Sequence, residues 1–291
     1  MGVYRRDDPA CQIGKNGDEL MRDYTLGFLS LGPIPAVKVL EVAVKAGFSA
    51  AGIRLTGRSK NDADPTIAGN LTAIKELQDT SKQLGVRISN VTTYHIRPES
   101  RIEDYLPVLE ATAELGCDKI VAASYDVADD VLVDFFSEYA DRANQFGIRI
   151  AIEFQPYSGI KTLGQADRIV KLAGRQNVGF LIDAFHLARS GGVPKDLSSI
   201  DPDRIYFAQI CDASINTPEG MDLITEARSG RLYLGDGALP VEGLLKHLPD
   251  NVELEFEIPV VSDKDLSPEK KAQIIFDRTS GYLAGLGHVD K

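Results

Sequence analysis

The sequence predicts a single (β/α)₈ barrel formed by residues 23–291. From Asp23 onward, short apolar segments rich in β-branched residues alternate with longer amphipathic segments, and no Pro/Ser-rich linker divides them. This alternation is typical of βα units around a parallel sheet. We count eight units, and an eight-unit barrel typically needs about 250 residues, which fits the length of this chain. Residues 1–22 are polar and aperiodic, so we predict an N-terminal extension that is peripheral or tag-like.

Each predicted unit has one strand and one helix. The predicted strands are 24–31, 50–55, 86–93, 119–123, 148–154, 178–183, 205–211 and 252–258. The predicted helices are 34–46, 66–84, 102–115, 128–146, 163–173, 195–200, 241–248 and 267–286. Glycine follows four of these helices, at Gly47, Gly85, Gly116 and Gly147, which indicates left-handed C-terminal caps. An open doubly wound sheet is the alternative, but the first strand, LGFLSLGPIP, lacks a GxGxxG turn.

Composition and charge exclude several classes of partner. The chain has 43 acidic and 32 basic residues, a formal net charge of -11, so its mean field repels phosphate backbones and anionic lipid surfaces. We therefore predict no nucleic-acid partner and no membrane partner. Three widely spaced cysteines without a CxxC pair argue against a disulfide framework or a zinc-thiolate site. With no long apolar run and no export signal, a cytoplasmic location is expected.

Polar residues end the strands of the second half. The fifth strand ends IAIEF with Glu153, the sixth ends FLID with Asp183, and the seventh, IYFAQIC, contains Gln209. The eighth, VELEFEIP, places three glutamates on one face, and Glu257 is the one nearest its C-terminal end. Barrel enzymes carry their chemistry at this end of the strands. Inward carboxylates are costly without a counter-charge, and we expect no Lys or Arg on these four strands to neutralise them.

A bound cation is the simplest explanation for this set. One acidic residue at a strand end is as often a helix cap or a solvated loop residue, but four polar residues on successive strands favour a site. Three carboxylates and one amide oxygen form an oxygen-only set that suits Mn²⁺ or Mg²⁺. Mn²⁺ is the expected ion, and Co²⁺ and Zn²⁺ stay open.

Several motifs together resemble a known family. EFQP, the D-x-x-H from Asp183 to His186, QICDA and the late EIP are similar to the sugar phosphate isomerase/epimerase members of the xylose-isomerase-like barrel superfamily. GIRL, FHLARSGG and EARSGRLYLGDG extend the resemblance along the chain. The resemblance implies metal ligation by Glu153, Asp183, Gln209 and Glu257. It also implies that Glu153 and Glu257 are the proton-transfer pair and that His186 contacts substrate beside the metal.

The implied activity is isomerisation or epimerisation of a small keto-sugar, cyclitol or related polyol. A carboxylate removes the proton next to a carbonyl, and the metal stabilises the resulting enediolate. The chain departs from the ketose-epimerase pattern at Gln209, where His is customary. The Gln form resembles the dehydratase branch, such as dehydroshikimate dehydratase. Dehydration or elimination, with His186 as the acid that releases a hydroxyl, is therefore the alternative reaction.

Other candidate residues and functions are less specific. Arg228 resembles the family's substrate-binding arginine, although a solvated helix face explains it equally well. Arg54 and His95 are candidates for the catalytic rim, with surface loops as the alternative. A catalytically silent metal-binding subunit is another alternative, because it would have the same ligands as an enzyme. An abasic-site endonuclease is disfavoured, because that branch resembles a His-rich site and this chain has four histidines. A homo-oligomer stays open.

Overall fold

Eight parallel strands close into a barrel in which each strand pairs with the next along the chain and β8 pairs with β1. The computed structural model describes residues 24–56 and 67–286. The strands are β1 (Tyr24–Leu26), β2 (Ala50–Ile53), β3 (Arg87–Ile96), β4 (Lys119–Ser124), β5 (Arg149–Glu153), β6 (Val178–Asp183), β7 (Ile205–Ile210) and β8 (Glu253–Phe256). The predicted (β/α)₈ barrel is confirmed. The predicted extension, residues 1–22, lies outside the described residues.

Helices surround the barrel and bury apolar faces against it. They are α1 (Ala36–Ala46), α2 (Leu71–Leu84), α3 (Leu106–Glu114), α4 (Asp129–Asn144), α5 (Leu163–Ala173), α6 (Ala184–Arg189), α7 (Leu223–Ser229), α8 (Val241–His247) and α9 (Pro268–Gly285). The four predicted capping glycines all have left-handed backbone, with φ between 67° and 104°. Residues with a Cβ rarely adopt this conformation, so these glycines end helices where the chain must turn sharply into the next strand.

The structure corrects five element predictions. Helix α6 begins directly after β6 because the Asp183 carboxylate caps it, accepting a hydrogen bond of 3.0 Å from the backbone N–H of His186. The predicted helix at 195–200 is a 3₁₀ helix, Pro194–Ser199. Helix α7, which was not predicted, follows β7. In addition, β1 is short and β3 extends to Ile96, so His95 lies on β3 rather than beyond it.

Charged side chains fill the N-terminal end of the barrel interior. The Glu253 carboxylate on β8 lies 3.1 Å from Lys119 Nζ of β4 and 3.1 Å from Arg87 Nη2 of β3. Burial raises the pKa of Glu253, but the two cations outweigh burial and lower it to about 2. This cluster ties β8 to β3 and β4 across the interior. Within the described ranges, no helix has the length and apolar character that a membrane span requires.

The Glu253 cluster predicts an acid-dependent loss of stability. Because the folded-state pKa lies below the ordinary value, its stabilisation is complete above about pH 5 and is lost as the pH falls through 4.5 towards 2. Glu253→Gln should lower the free energy of unfolding by about 3 kcal/mol at pH 7. The difference from wild type should shrink steadily below pH 4.5, as measured by urea unfolding at a series of pH values.

The exposed i,i+4 pair of Glu242 and Lys246 supplies the control. Glu242→Gln should change the unfolding free energy by less than about 0.5 kcal/mol at any of these pH values. A Glu253→Gln difference that stays constant between pH 7 and pH 2 would contradict the assigned ion pairs.

Candidate metal and catalytic site

A cavity opens at the C-terminal ends of the strands. Its lining includes six of the predicted site residues: Arg54, His95, Glu153, His186, Arg228 and Glu257. These residues come from β3, β5, α7 and the segments that follow β2, β6 and β8, so they are far apart in the sequence. The barrel therefore brings together most of the side chains that were selected from their positions at strand ends.

The other two predicted ligands, Asp183 and Gln209, are buried beside the cavity. In the strand register Asp183 of β6 is adjacent to Gln209 of β7, and Gln209 is adjacent to Glu255 of β8. The Gln209 amide donates through Nε2 to Glu255 Oε1 at 2.7 Å. Its Oε1 is buried and accepts no hydrogen bond from any described residue. An unpaired buried carbonyl oxygen is costly, so this atom is available to a ligand that needs an oxygen donor.

Glu153, Asp183 and His186 form the tightest cluster. One potential ligand atom from each lies within 4.8 Å of those of the other two, and His186 Nε2 is 3.4 Å from Glu153 Oε1. Burial raises the pKa of Glu153, but the hydrogen bond and charge of His186 outweigh burial and hold it below its ordinary value. The Tyr157 ring meets the His186 ring edge to face at 5.6 Å.

Arg231 is a central residue that the sequence analysis missed. Its side chain is 1% exposed, and Nη1 donates to Asp183 Oδ2 at 2.8 Å while Nη2 lies 3.3 Å from Glu257 Oε2. Burial raises the pKa of Asp183, but Arg231 and His186 outweigh burial and hold it below its ordinary value. The counter-charge that was not expected from these four strands therefore comes from outside them, from Arg231 after α7.

The motif EARSGRLYLGDG contains both arginines, and the family resemblance indicates Arg228 rather than Arg231 as the binding residue. Arg228 is exposed on α7, whereas Arg231 follows the helix and turns inward. Its Nε donates to the Ala227 carbonyl oxygen at 2.9 Å, which holds the guanidinium in place. Arg149, at the start of β5, is a partly exposed cation at the N-terminal end of its strand, where it pairs with Asp118 rather than with Glu153.

The glutamates of β8 differ in depth, as expected from their spacing. Glu257 borders the cavity, and burial, opposed by Arg231 and reinforced by Glu153 and Asp183, raises its pKa to about 7. Glu255 lies below it, fully buried, and burial together with the charge of Glu257 raises its pKa to about 8.

The rim residues have distinct environments. The Arg54 guanidinium carbon is 5.8 Å from the centre of the Phe28 ring, and the His95 ring is 5.0 Å from that of Tyr125. Both side chains are half-buried and face the cavity. Cys211, beside Arg231, is buried, and burial raises its pKa to about 12, so it is an inert thiol at neutral pH.

The chain belongs to the xylose isomerase-like TIM barrel family, whose model matches residues 40–274. Inosose isomerase from Bacillus licheniformis is 28% identical over 159 residues, 51% of this chain and 55% of that protein. 3-Dehydroshikimate dehydratase from Pseudomonas aeruginosa is 30% identical over 138 residues, 45% of this chain and 21% of that protein. The matches thus span about half and about a fifth of these two enzymes.

A solved structure shows the same fold. The crystal structure of IOLI protein with a binding zinc atom superposes with a TM-score of 0.76 at 20% identity and covers 92% of this chain and 100% of that chain. At this identity the likeness concerns the fold alone.

The Arg231 geometry predicts a strong effect on stability. Arg231→Gln leaves Asp183 and Glu257 buried without their counter-charge, which typically costs about 3 to 5 kcal/mol. Urea unfolding of the metal-free chain should detect this loss. Arg228→Gln is the matched control, because an exposed side chain on the neighbouring helix should change stability by less than about 0.5 kcal/mol. Equal effects of the two substitutions would show that Arg231 does not balance the buried acids.

Proposed function

We propose that this chain is a divalent-cation-dependent isomerase or epimerase that acts on a small keto-sugar or keto-cyclitol by moving a proton next to a carbonyl group. The observation that carries the proposal is the group of three buried acids beside an open cavity: Glu153, and the two acids that share Arg231, Asp183 and Glu257. The family and its isomerase relative support the reaction class.

The residues present fit a divalent cation. When ionised, Glu153, Asp183 and Glu257 carry three negative charges, and Arg231 offsets one of them, so two charges are left for an ion to balance. The buried, unpaired Oε1 of Gln209 adds a neutral oxygen donor. Glu153, Asp183, Gln209 and Glu257 would hold the ion, with His186 at its edge. This oxygen-rich set favours Mn²⁺, with Mg²⁺, Co²⁺ and Zn²⁺ as alternatives. When bound, the ion supplies Lewis acidity that polarises the substrate carbonyl.

The proton chemistry is assigned to the two cavity glutamates. Glu153 enters the cavity from β5 and Glu257 from the end of β8, so they approach a bound substrate from different strands. One glutamate takes the proton from the carbon beside the carbonyl, and the other returns a proton. Return to the opposite face of that carbon is epimerisation, and return to the adjacent carbon is aldose-ketose isomerisation. His186, 3.4 Å from Glu153, orients this carboxylate.

The rim residues are assigned to substrate recognition. His186, Arg54, His95 and Arg228 line the cavity above the carboxylates, where they can contact hydroxyl or carbonyl oxygens of a small polar substrate. Phe28 and Ala227 add apolar surface for the carbon face of a ring. We also predict a small-molecule substrate and a cytoplasmic location. The sequence leaves open whether the chain forms a homo-oligomer.

Dehydration is the second candidate function. It is favoured by one residue, Gln209, at the position where the sequence resembles the dehydratase branch, and by the similarity to 3-dehydroshikimate dehydratase. The first step, removal of a proton next to the carbonyl, is the same. The reactions diverge when His186, in place of a returning carboxylic acid, donates a proton to a departing hydroxyl group.

The cation proposal predicts metal-dependent turnover. Exhaustive chelation should abolish activity on a keto-sugar or keto-cyclitol panel, and Mn²⁺ should restore it. Glu153→Gln and Asp183→Asn should each lose the bound ion, as measured by elemental analysis. His186→Asn should keep the ion but lower turnover by about 10- to 100-fold, the usual loss when a group that orients a ligand is removed. One tightly bound divalent ion per chain in either ligand variant would show that the ligand set is wrong.

The reaction class can be tested with isotopes. In D₂O, an epimerase that returns a solvent-exchanged proton leaves deuterium at the inverted carbon and releases no water. A dehydratase loses the hydroxyl group, and its conjugated product absorbs in the ultraviolet. Both require the C–H bond beside the carbonyl to break. A substrate deuterated at that carbon should therefore react more slowly in single-turnover measurements, and a rate without any isotope effect would rule out the proton-transfer mechanism.

A further inference from the structure

Glu255 is a buried carboxylate with no assigned role in the proposed chemistry. It is fully buried in the middle of β8, and among the described residues none forms an ion pair with it. Its two oxygens instead accept from two side-chain amides. Asn90 Nδ2 of β3 donates to Oε2 at 2.5 Å, and Gln209 Nε2 of β7 donates to Oε1 at 2.7 Å.

The barrel wall is shaped to hold this group. A Cβ atom at Gly52 of β2 would lie 2.7 Å from Glu255 Oε2, closer than real Cβ contacts, and 3.0 Å from Asn90 Oδ1, tighter than most of them. Glycine at this position therefore leaves room for the Asn90–Glu255 pair against β2. The strand register also shifts between Ala51 and Gly52. Backbone and side chains thus fix the position of the Glu255 carboxylate.

A glutamine ligand has a problem of orientation that a carboxylate does not have. The two ends of its amide group are nearly the same size, but only the oxygen can coordinate a cation. A flipped amide would present N–H groups to the ion. Because the Nε2 group of Gln209 is held by Glu255, its Oε1 is turned away from β8, and this is the atom that lies buried without a partner.

We propose that Glu255, braced by Asn90, is a positioning residue that locks the Gln209 amide with its oxygen presented to a divalent cation. This inference rests on the proposed function, because it concerns the ion that the neighbouring carboxylates hold. Glu255 acts through Gln209 and does not itself contact the ion or the substrate.

The test is the Mn²⁺ dissociation constant of the metal-free full chain, measured by titration calorimetry at one pH. In Glu255→Gln an NH₂ group replaces one of the two oxygens, so the side chain can no longer accept from both Asn90 and Gln209, and the orientation of the Gln209 amide is no longer fixed. Loss of such a supporting contact typically weakens metal binding by about 10- to 100-fold. Thermal melting and circular dichroism of the same samples establish that the fold is retained.

A swapped double variant separates orientation from a direct or general effect. Gln209→Glu combined with Glu255→Gln keeps the hydrogen bond and the net charge, and its carboxylate ligand has two equivalent oxygens. It should restore Mn²⁺ binding to within about threefold of wild type or better. Glu253→Gln, two residues away on the same face, should leave the Mn²⁺ affinity unchanged because Glu253 does not contact Gln209.

Three results would overturn the inference. These are wild-type affinity in Glu255→Gln, a swapped variant that binds as weakly as Glu255→Gln alone, and an equal loss in Glu253→Gln. If the wild-type chain binds no divalent cation at all, the proposed function itself fails and this inference fails with it.

Discussion

The barrel is built around buried negative charge that each neighbouring element must balance. Its interior is filled by side chains rather than solvent, so an inward carboxylate needs a cation or hydrogen-bond donors from another strand. One face of β8 meets this demand in three ways. Glu253 is held by two cations on β3 and β4, Glu255 by two amides on β3 and β7, and Glu257 by Arg231 beyond α7. These contacts tie distant parts of the chain to a single strand.

The same arrangement gives the three glutamates different pKa values along the barrel axis. Two cations at the N-terminal end bring the pKa of Glu253 to about 2, which keeps this structural group ionised at neutral pH. Nearer the opposite end, where burial and neighbouring acids outweigh the available donors, the pKa of Glu255 is about 8 and that of Glu257 about 7. Three glutamates spaced two positions apart thus have three different roles, because their surroundings differ. Glu253 anchors the structure, Glu255 supports a neighbouring residue and Glu257 borders the cavity.

Local patterns were enough to predict the barrel, the capping glycines and the strand-end residues that line the cavity. Local patterns did not predict a residue that belongs to two elements, or a contact between residues far apart in the sequence. Asp183 was read as the end of β6, but its carboxylate also starts α6, so a helix of six residues was overlooked. Arg231 reaches Asp183, 48 positions away in the chain. No spacing rule identifies which of two nearby arginines turns inward, because that choice depends on the Ala227 carbonyl and the end of α7.

The amide at position 209 follows from this charge balance. Gln209 lies in register between two acids, Asp183 on one side and Glu255 on the other. A carboxylate there would add a third acid to this row, in an interior where Arg231 is already shared by two acids. Glutamine adds an oxygen donor without charge, but it requires a group that selects the orientation of its amide. A neighbouring carboxylate that accepts from Nε2 does this, so the acid that would repel a charged ligand is the group that orients a neutral one.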